Sequence, residues 1–250
     1  MDLPEYERMF EHESHHWWFV GTRRVILDVL RRRAPAGADG APPRICDIGC
    51  GTGGTTARLS TLGAALGLDA SAEALRLARR RPGGAFAQGD AARLPLATGA
   101  FDVATLLDIV EHTDDDAAVV AEAARVLRPG GLLLLTVPAF PFLWSQHDEA
   151  LHHRRRYRSR EIRKLLEDQG LQIDILTYYN SALFPAVAAI RLLSRLGRGG
   201  AGAPPKSDLS LPPAPLNGLL ASLLGSERHL VGRIPLPAGV SLLATALKRG

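Results

Sequence analysis

From Arg44 to Tyr178, short apolar runs alternate with segments whose apolar residues recur every three to four positions. The runs at 44–48, 64–68, 84–87, 101–106, 131–137 and 171–178 predict strands. Helices are expected from Gly53, from Ser71, over 114–127 and over 159–169. Strands separated by helices make a mostly parallel sheet covered on both faces. Before this alternation, residues 1–33 read as helical, with Val25, Ile26, Val29 and Leu30 forming an i, i+3, i+4 stripe opposite arginines. A Gly/Ala/Pro break follows at 34–43. After Tyr179 the rhythm changes: 181–196 predicts an apolar helix, 197–215 a Gly/Pro/Ser-rich connector, 216–230 a second amphipathic helix and 240–247 a last strand. The chain therefore divides into an N-terminal helical cap (1–40), a core (41–179), a helical insertion or lid (180–237) and the core's last strand (238–250).

The 46% apolar and 22% charged composition over 250 residues supports one sizeable core and excludes a disordered chain. Cys46 and Cys50 lie four apart in a glycine-rich stretch, a spacing of neither a redox pair nor a zinc set. A reducing, cytoplasmic setting is expected. The first 13 residues are acidic and polar, unlike a secretory signal, and the longest apolar stretch, 182–190, is about half of the ~20 residues that span a bilayer. A formal charge of +4 is a mild excess that favours acidic ligands or an anionic surface and is too small to argue for nucleic acid. Only three of the 30 basic residues are lysines, which reads as a GC-rich bacterial genome.

The strongest chemical signal is Ile45-Cys46-Asp47-Ile48-Gly49-Cys50-Gly51-Thr52-Gly53-Gly54, a strand entering a glycine-rich turn that opens a helix. Glycines at 49, 51 and 53 permit a tight turn and close approach of a ligand to the backbone. Asp69, 20 residues after Gly49 at the end of the next strand and followed by Ala70, is placed to accept hydrogen bonds from both ribose hydroxyls. The loop reads Asp-x-Gly-x-Gly-x-Gly rather than GxGxxG. Asp47 suits a cationic amine, where a dinucleotide loop cradles a pyrophosphate, so an amino-acid-bearing nucleoside fits better than NAD.

With the later blocks Gly89-Asp90-Ala91-Ala92-Arg93-Leu94-Pro95-Leu96, Phe101-Asp102-Val103, Leu107-Asp108-Ile109-Val110-Glu111-His112 and Leu127-Arg128-Pro129-Gly130-Gly131, the sequence closely resembles the class I S-adenosylmethionine-dependent methyltransferases over residues 44–137. The resemblance implies a Rossmann-like, doubly wound, seven-stranded α/β sheet with an antiparallel last strand, here with the helical insertion between the last two strands. It implies S-adenosylmethionine as cofactor, with Asp69 on the ribose, Asp90 and Ala91 at the adenine, and the Asp47–Gly53 loop and Asp108 near the methionine moiety. Residues 1–33, with His16-Trp17-Trp18-Phe19, and 147–157 are similar to a bacterial subgroup acting on small molecules or lipids.

Methyl transfer is an in-line displacement at a sulfonium carbon, which asks mainly for alignment and exclusion of water. A hydroxyl acceptor adds the need for a general base, a role that suits histidine. His112, His147, His152 and His153 compete for it, with His112, His147 and His152 the leading candidates and Asp148 or Glu149 able to orient an imidazole. Each has a bland alternative: His112 as a structural residue after the strand, the others as parts of a solvated loop. No metal is expected, since no HExxH-like spacing appears. Arg154, in the run of arginines at 154–156 and 158, is a candidate anchor for a substrate carboxylate or phosphate, with Tyr157 beside it a second candidate substrate contact and Trp18 one for the acceptor pocket. Solvated charge and core packing are the competing readings.

The expected activity is methyl transfer to an oxygen, nitrogen or carbon of a small-molecule acceptor, with bacterial secondary metabolism as its setting. The rivals are a lipid or membrane-partitioning acceptor and a cofactor-binding protein whose site catalyses a non-methylating reaction. The insertion's apolar helices suit a lid, a homodimer contact or peripheral contact with a membrane. An RNA substrate is disfavoured, because there is no large basic excess and no Asn-Pro-Pro-Tyr-like block stands where Leu107-Asp108-Ile109-Val110 does.

Overall fold

The seven strands expected from the apolar runs form one sheet in a computed structural model that describes residues 3–196 and 210–249. They are β1 (Arg44–Ile48), β2 (Ala64–Asp69), β3 (Ala85–Gln88), β4 (Phe101–Leu107), β5 (Leu127–Pro138), β6 (Leu171–Tyr179) and β7 (Ser241–Lys248). The spatial order is β3-β2-β1-β4-β5-β7-β6. The first five are mutually parallel, and β7 runs antiparallel between β5 and β6. The order reverses between β1 and β4, so a crevice opens at the carboxyl ends of these strands, where doubly wound sheets bind ligands.

The helices are α1 (Leu3–His12), α2 (Trp17–Arg33), α3 (Thr56–Leu59), α4 (Ala72–Ala78), α5 (Asp116–Val126), α6 (Gln146–Ala150), α7 (Ser159–Asp168), α8 (Phe184–Leu196) and α9 (Ala214–Ser226). On one face of the sheet Val119, Val120 and Ala123 of α5 and Ile162 and Leu166 of α7 are buried against Ile48, Leu106 and Leu135. On the other face the predicted stripe Val25, Ile26, Val29 and Leu30 packs with Leu224 of α9 against Ile45, Val103 and Leu134. Each of these larger side chains is worth about 1.5–3 kcal/mol on burial. Side-chain caps set the helix starts facing the crevice: Ser71 accepts from Ala74 N at the head of α4, and Asp115 from Ala118 N at the head of α5.

Several boundaries differ from expectation for local reasons. The N-terminal helix breaks at 13–16, where the His16 side chain accepts from Trp18 N and starts α2 anew. The helix expected from Gly53 shortens to the single turn of α3, since the glycine turn continues through Thr55. Strand β5 begins at Leu127, which pairs with Phe101, rather than at Gly131. Helix α6, not anticipated, is started by a capping box in which the Asp148 carboxylate accepts from Ser145 N.

Both helices of the insertion form between β6 and β7, and α9 joins the core. Leu224 lies where a side chain on Gly21 would stand, and Asn217 bridges the break before α2, donating to His15 O and accepting from Trp17 N, both at 2.8 Å. The far side of α9 and the side of α8 leave Leu219, Ile190 and Leu193 about two-thirds exposed. Within α9 Leu224 is buried while Leu219 faces outward. Most of the expected connector, 197–209, lies outside the described residues. No helix among the described residues is long and apolar enough to cross a membrane.

Candidate active site

The glycine turn closes over the carboxyl end of β1. Gly49, Gly51 and Gly53 all have positive φ, at 74°, 53° and 77°. At Gly49 a Cβ would run into the Ile109 side chain, so this position needs glycine both for its dihedral and for space. Asp69 accepts from Gly51 N through one carboxylate oxygen (2.8 Å) and from Ser71 N through the other (2.9 Å). It thereby ties the turn after β1 to the turn after β2 and remains half-buried with lone pairs to spare. Ala70 is exposed beside it, its carbonyl accepting from Gln88. Asp90 is exposed, one oxygen on Ala92 N, and Ala91 is half-buried against the core.

Asp47 does not face the open side of the turn. It is 2% exposed, and its two oxygens accept from Thr56 Oγ1 (2.5 Å) and Thr105 Oγ1 (2.7 Å). Burial pushes its carboxyl up to about 6, against the lowering effect of those hydroxyls. In this structure the residue expected to meet a cationic amine instead locks the glycine turn to β4 and α3, because burial and two short hydroxyl bonds leave no approach for an amine.

Three further residues around the turn were not expected from the sequence. Met9 of α1 lies against Gly51, and Tyr6, its phenol raised by burial, stands near Ser71 and Asp69. Glu13, buried in the break after α1, accepts from Thr52 Oγ1 (2.6 Å) and pairs with Arg81 and Arg23. Helix α1 therefore roofs the glycine turn, with Arg81 stacked on Phe10. Isolated acids in a polar N-terminal segment gave no sequence signal for this.

Across the crevice, β4 ends at Asp108, whose backbone has a positive φ of 53°. Burial raises its carboxyl to about 6, partly offset by His153 and Arg156. Next to it Glu111 is fully buried, and neither of its carboxylate oxygens has a hydrogen-bond partner among the described residues. Burial and the Asp108 charge push Glu111 well above the usual carboxylate range. Near Asp108 the buried hydroxyls of Tyr179, Thr136 and Thr22 gather, also without partners of good geometry among the described residues. Buried polar atoms are usually satisfied, so a concentration of orphans at one strand end marks a place built for something else to bind.

His112 closes a short helical turn after Glu111, its ring 4.8 Å from that of His153. Burial, and then His153, lower its imidazole to about 4, which makes it neutral at physiological pH. His153 Nδ1 lies 2.9 Å from Asp148 Oδ1, and Arg156 Nε donates to the same oxygen at 2.7 Å. Burial raises the Asp148 carboxyl, but the His153 and Arg156 contacts win and hold it well below the usual range.

Of the leading histidine candidates, His112 is therefore in the crevice. His147 is half-buried with its ring 6.2 Å from that of His153. His152 is exposed on a left-handed backbone (φ 57°), and this kink turns its neighbour His153 inward in its place. Tyr157 is no open substrate contact: it is 4% exposed and its hydroxyl donates to Asp116 (2.8 Å). Arg154 reaches the crevice rim, donating to His112 O (3.1 Å) and pairing with Asp114 (2.6 Å). Arg155 pairs with Asp116, Arg156 is buried on Asp148, and Arg158 lines a groove of about 400 Å³ with Phe140, Phe142 and Tyr178. Trp18 is half-buried, edge-on to Phe19 and packed on the α2 core. The run of arginines is thus four separate contacts rather than one anion clamp.

The glycine cradle, the Asp69 carboxylate and the orphaned polar groups at Asp108 fit a nucleoside-bearing amino-acid cofactor spanning the ends of β1, β2 and β4. Residues 46–135 match the family described as Methyltransferase domain. A probable S-adenosylmethionine-dependent methyltransferase of Mycolicibacterium smegmatis is 31% identical over 165 residues, 64% of this chain and 62% of that one. A demethylmenaquinone methyltransferase of Beutenbergia cavernae is 40% identical over 129 residues, 46% of this chain and 52% of that one. A Thermotoga maritima structure described as a possible histamine N-methyltransferase superposes with a TM-score of 0.62 at 19% identity, covering 98% of this chain and 95% of the other. Residues 46–135 of the chain thus carry a methyltransferase domain. The chain spans about half the length of the curated relatives it matches first.

Proposed function

We propose that the protein binds S-adenosylmethionine across the ends of β1, β2 and β4 and transfers its methyl group to an oxygen, nitrogen or carbon of a small-molecule acceptor, in bacterial secondary metabolism. The observation that carries this reading is the opposition of two unlike walls. One is a glycine turn held open by Asp69, and the other is the polar wall of Asp108, Glu111, Thr136 and Tyr179, in which the last three are buried without hydrogen-bond partners among the described residues. When bound, the cofactor supplies an electrophilic methyl on a sulfonium. The chain's own residues supply the rest: Asp69 and the glycine amides hold and orient the nucleoside end, α1 covers it, and the second wall desolvates and aligns the acceptor. Asp148 fixes the ring of His153, so the Nε2 edge is the one left for an acceptor or other ligand. Calorimetric titration with S-adenosylhomocysteine is expected to show one site of micromolar affinity, and NAD none. Binding of NAD alone, or of neither in the presence of candidate acceptors, would overturn the reading.

A second reading, a lipid or membrane-partitioning acceptor, is favoured by Ile190, Leu193 and Leu219, which stand outward on the two helices of the insertion. Liposome flotation separates them: recovery of the protein with anionic vesicles supports it, and recovery only in the unbound fraction removes it.

A further inference from the structure

Glu111, His112 and His153 come together from two different segments, the turn after β4 and the loop after α6, with one potential ligand atom of each within 4.8 Å of the other two. We propose that these three residues form a binding site for a first-row divalent transition-metal ion on the acceptor side of the crevice. Nothing in their sequence spacing announced it, because His153 lies 41 residues beyond His112 and only the return of the chain through the α6 segment, with Arg154 N donating to Glu111 O at 2.8 Å, brings them side by side.

Three observations carry the assignment. Glu111 is 0% exposed and both its oxygens lack partners among the described residues, an arrangement whose desolvation cost calls for a cation. One of the imidazoles is already held from behind, His153 by Asp148 at 2.9 Å, and the ring of His112 packs edge-on against it. Anchoring one ring nitrogen on a carboxylate or carbonyl fixes the tautomer and aims the other nitrogen, which is how metal-binding histidines are supported. The charge balance points the same way. Asp108, Glu111 and Asp148 face a single buried guanidinium, Arg156, while Arg154 and Arg155 are spent outside on Asp114 and Asp116.

Two imidazoles and one carboxylate suit zinc, iron(II), manganese or nickel rather than magnesium or calcium, which prefer oxygen-only shells. Ligand atoms around such an ion, with bonds of about 2.0–2.2 Å, stand roughly 3–3.5 Å apart. Closure therefore asks for a shift on the order of 1 Å in side chains alone. Three protein ligands leave positions open, and an oxygen of the acceptor is the class of group that would fill them.

The test uses the untagged full chain, stripped with a chelator and titrated with zinc and with manganese, with uptake measured by elemental analysis after gel filtration. One equivalent per chain is expected. Glu111→Gln and His153→Ala should each lower the affinity at least ~100-fold, and Asp148→Asn about 10-fold. Circular dichroism checks that each variant folds; Glu111→Gln adds no volume and carries the test if His153→Ala does not fold. Absence of stoichiometric uptake of either metal, or uptake by Glu111→Gln equal to the unaltered chain, overturns the site. S-adenosylhomocysteine binding by the metal-free protein is measured in parallel, so failure of the metal site leaves the cofactor reading intact, and the converse.

Discussion

The two walls of the crevice spend polar groups in opposite ways. On the β1–β2 side three carboxylates already have partners within the fold: Asp47 in Thr56 and Thr105, Asp69 in Gly51 and Ser71, Glu13 in Thr52 and Arg81. That wall is rigid before any ligand arrives, and it recognises through backbone shape. On the β4–β5 side Glu111, Thr136 and Tyr179 are buried and unsatisfied among the described residues. That wall keeps its polar atoms unmatched, at a cost in stability, and its partner has to come from outside. A domain shared by many methyltransferases is expected to hold its common cofactor with the preorganised wall and to vary its acceptor at the other.

The largest effect that tests this contrast is at Asp69. Asp69→Ala removes two charge-assisted bonds to backbone amides, each worth roughly 1.5–3 kcal/mol, and unties the glycine turn. S-adenosylhomocysteine affinity, measured by calorimetry, should fall at least ~100-fold. An unchanged affinity would mean that the first wall is not where the nucleoside sits.

A smaller effect follows from Asp47, and it appears in stability rather than in binding. Its folded-state value, raised by burial from 3.8 to about 6, means that the folded chain holds this proton more tightly than the unfolded one. The associated stability is fully present below about pH 3.8 and is lost as pH rises through about 6. Urea denaturation from pH 4 to 8 should therefore show the unaltered protein losing on the order of 2–3 kcal/mol relative to Asp47→Asn. A difference between the two that does not vary with pH would sink the argument.

Legibility in the sequence follows the same division. The strands and the first wall were readable because glycine, a strand-end acid and apolar runs are local signals: Gly49 needs its positive φ, and Asp69 sits on the residue that ends β2. Even there the inward turn of Asp47 onto Thr56 and Thr105 was not readable, since a motif shows which residue is present but not which way its carboxylate turns. The second wall was only half legible. His112 stood in the quoted block beside Glu111, but the choice of His152 over His153 depended on one left-handed residue, and the chain's return through α6 depended on a capping box formed by Ser145 and Asp148. The roof of α1 over the turn was not legible at all, because Met9, Glu13 and Arg81 meet only through tertiary packing.

The smallest effect is the most discriminating, since it has the sign opposite to most substitutions in a core. Glu111→Gln keeps the shape of the side chain and removes a carboxyl group that the metal-free protein buries without a partner, at the cost of taking up a proton on folding. If the second wall is unsatisfied by design, the variant should be more stable than the unaltered chain in metal-free buffer, by about 1–2 kcal/mol, because an amide is cheaper to bury than a carboxylate. Adding zinc should reverse the order, since only the carboxylate gains from the ion and ligand binding to the folded state raises its melting temperature. Thermal melts with and without zinc read both signs in one experiment. A variant that is destabilised in both buffers would show that Glu111 is held by contacts within the fold, and the two walls would then no longer differ in kind.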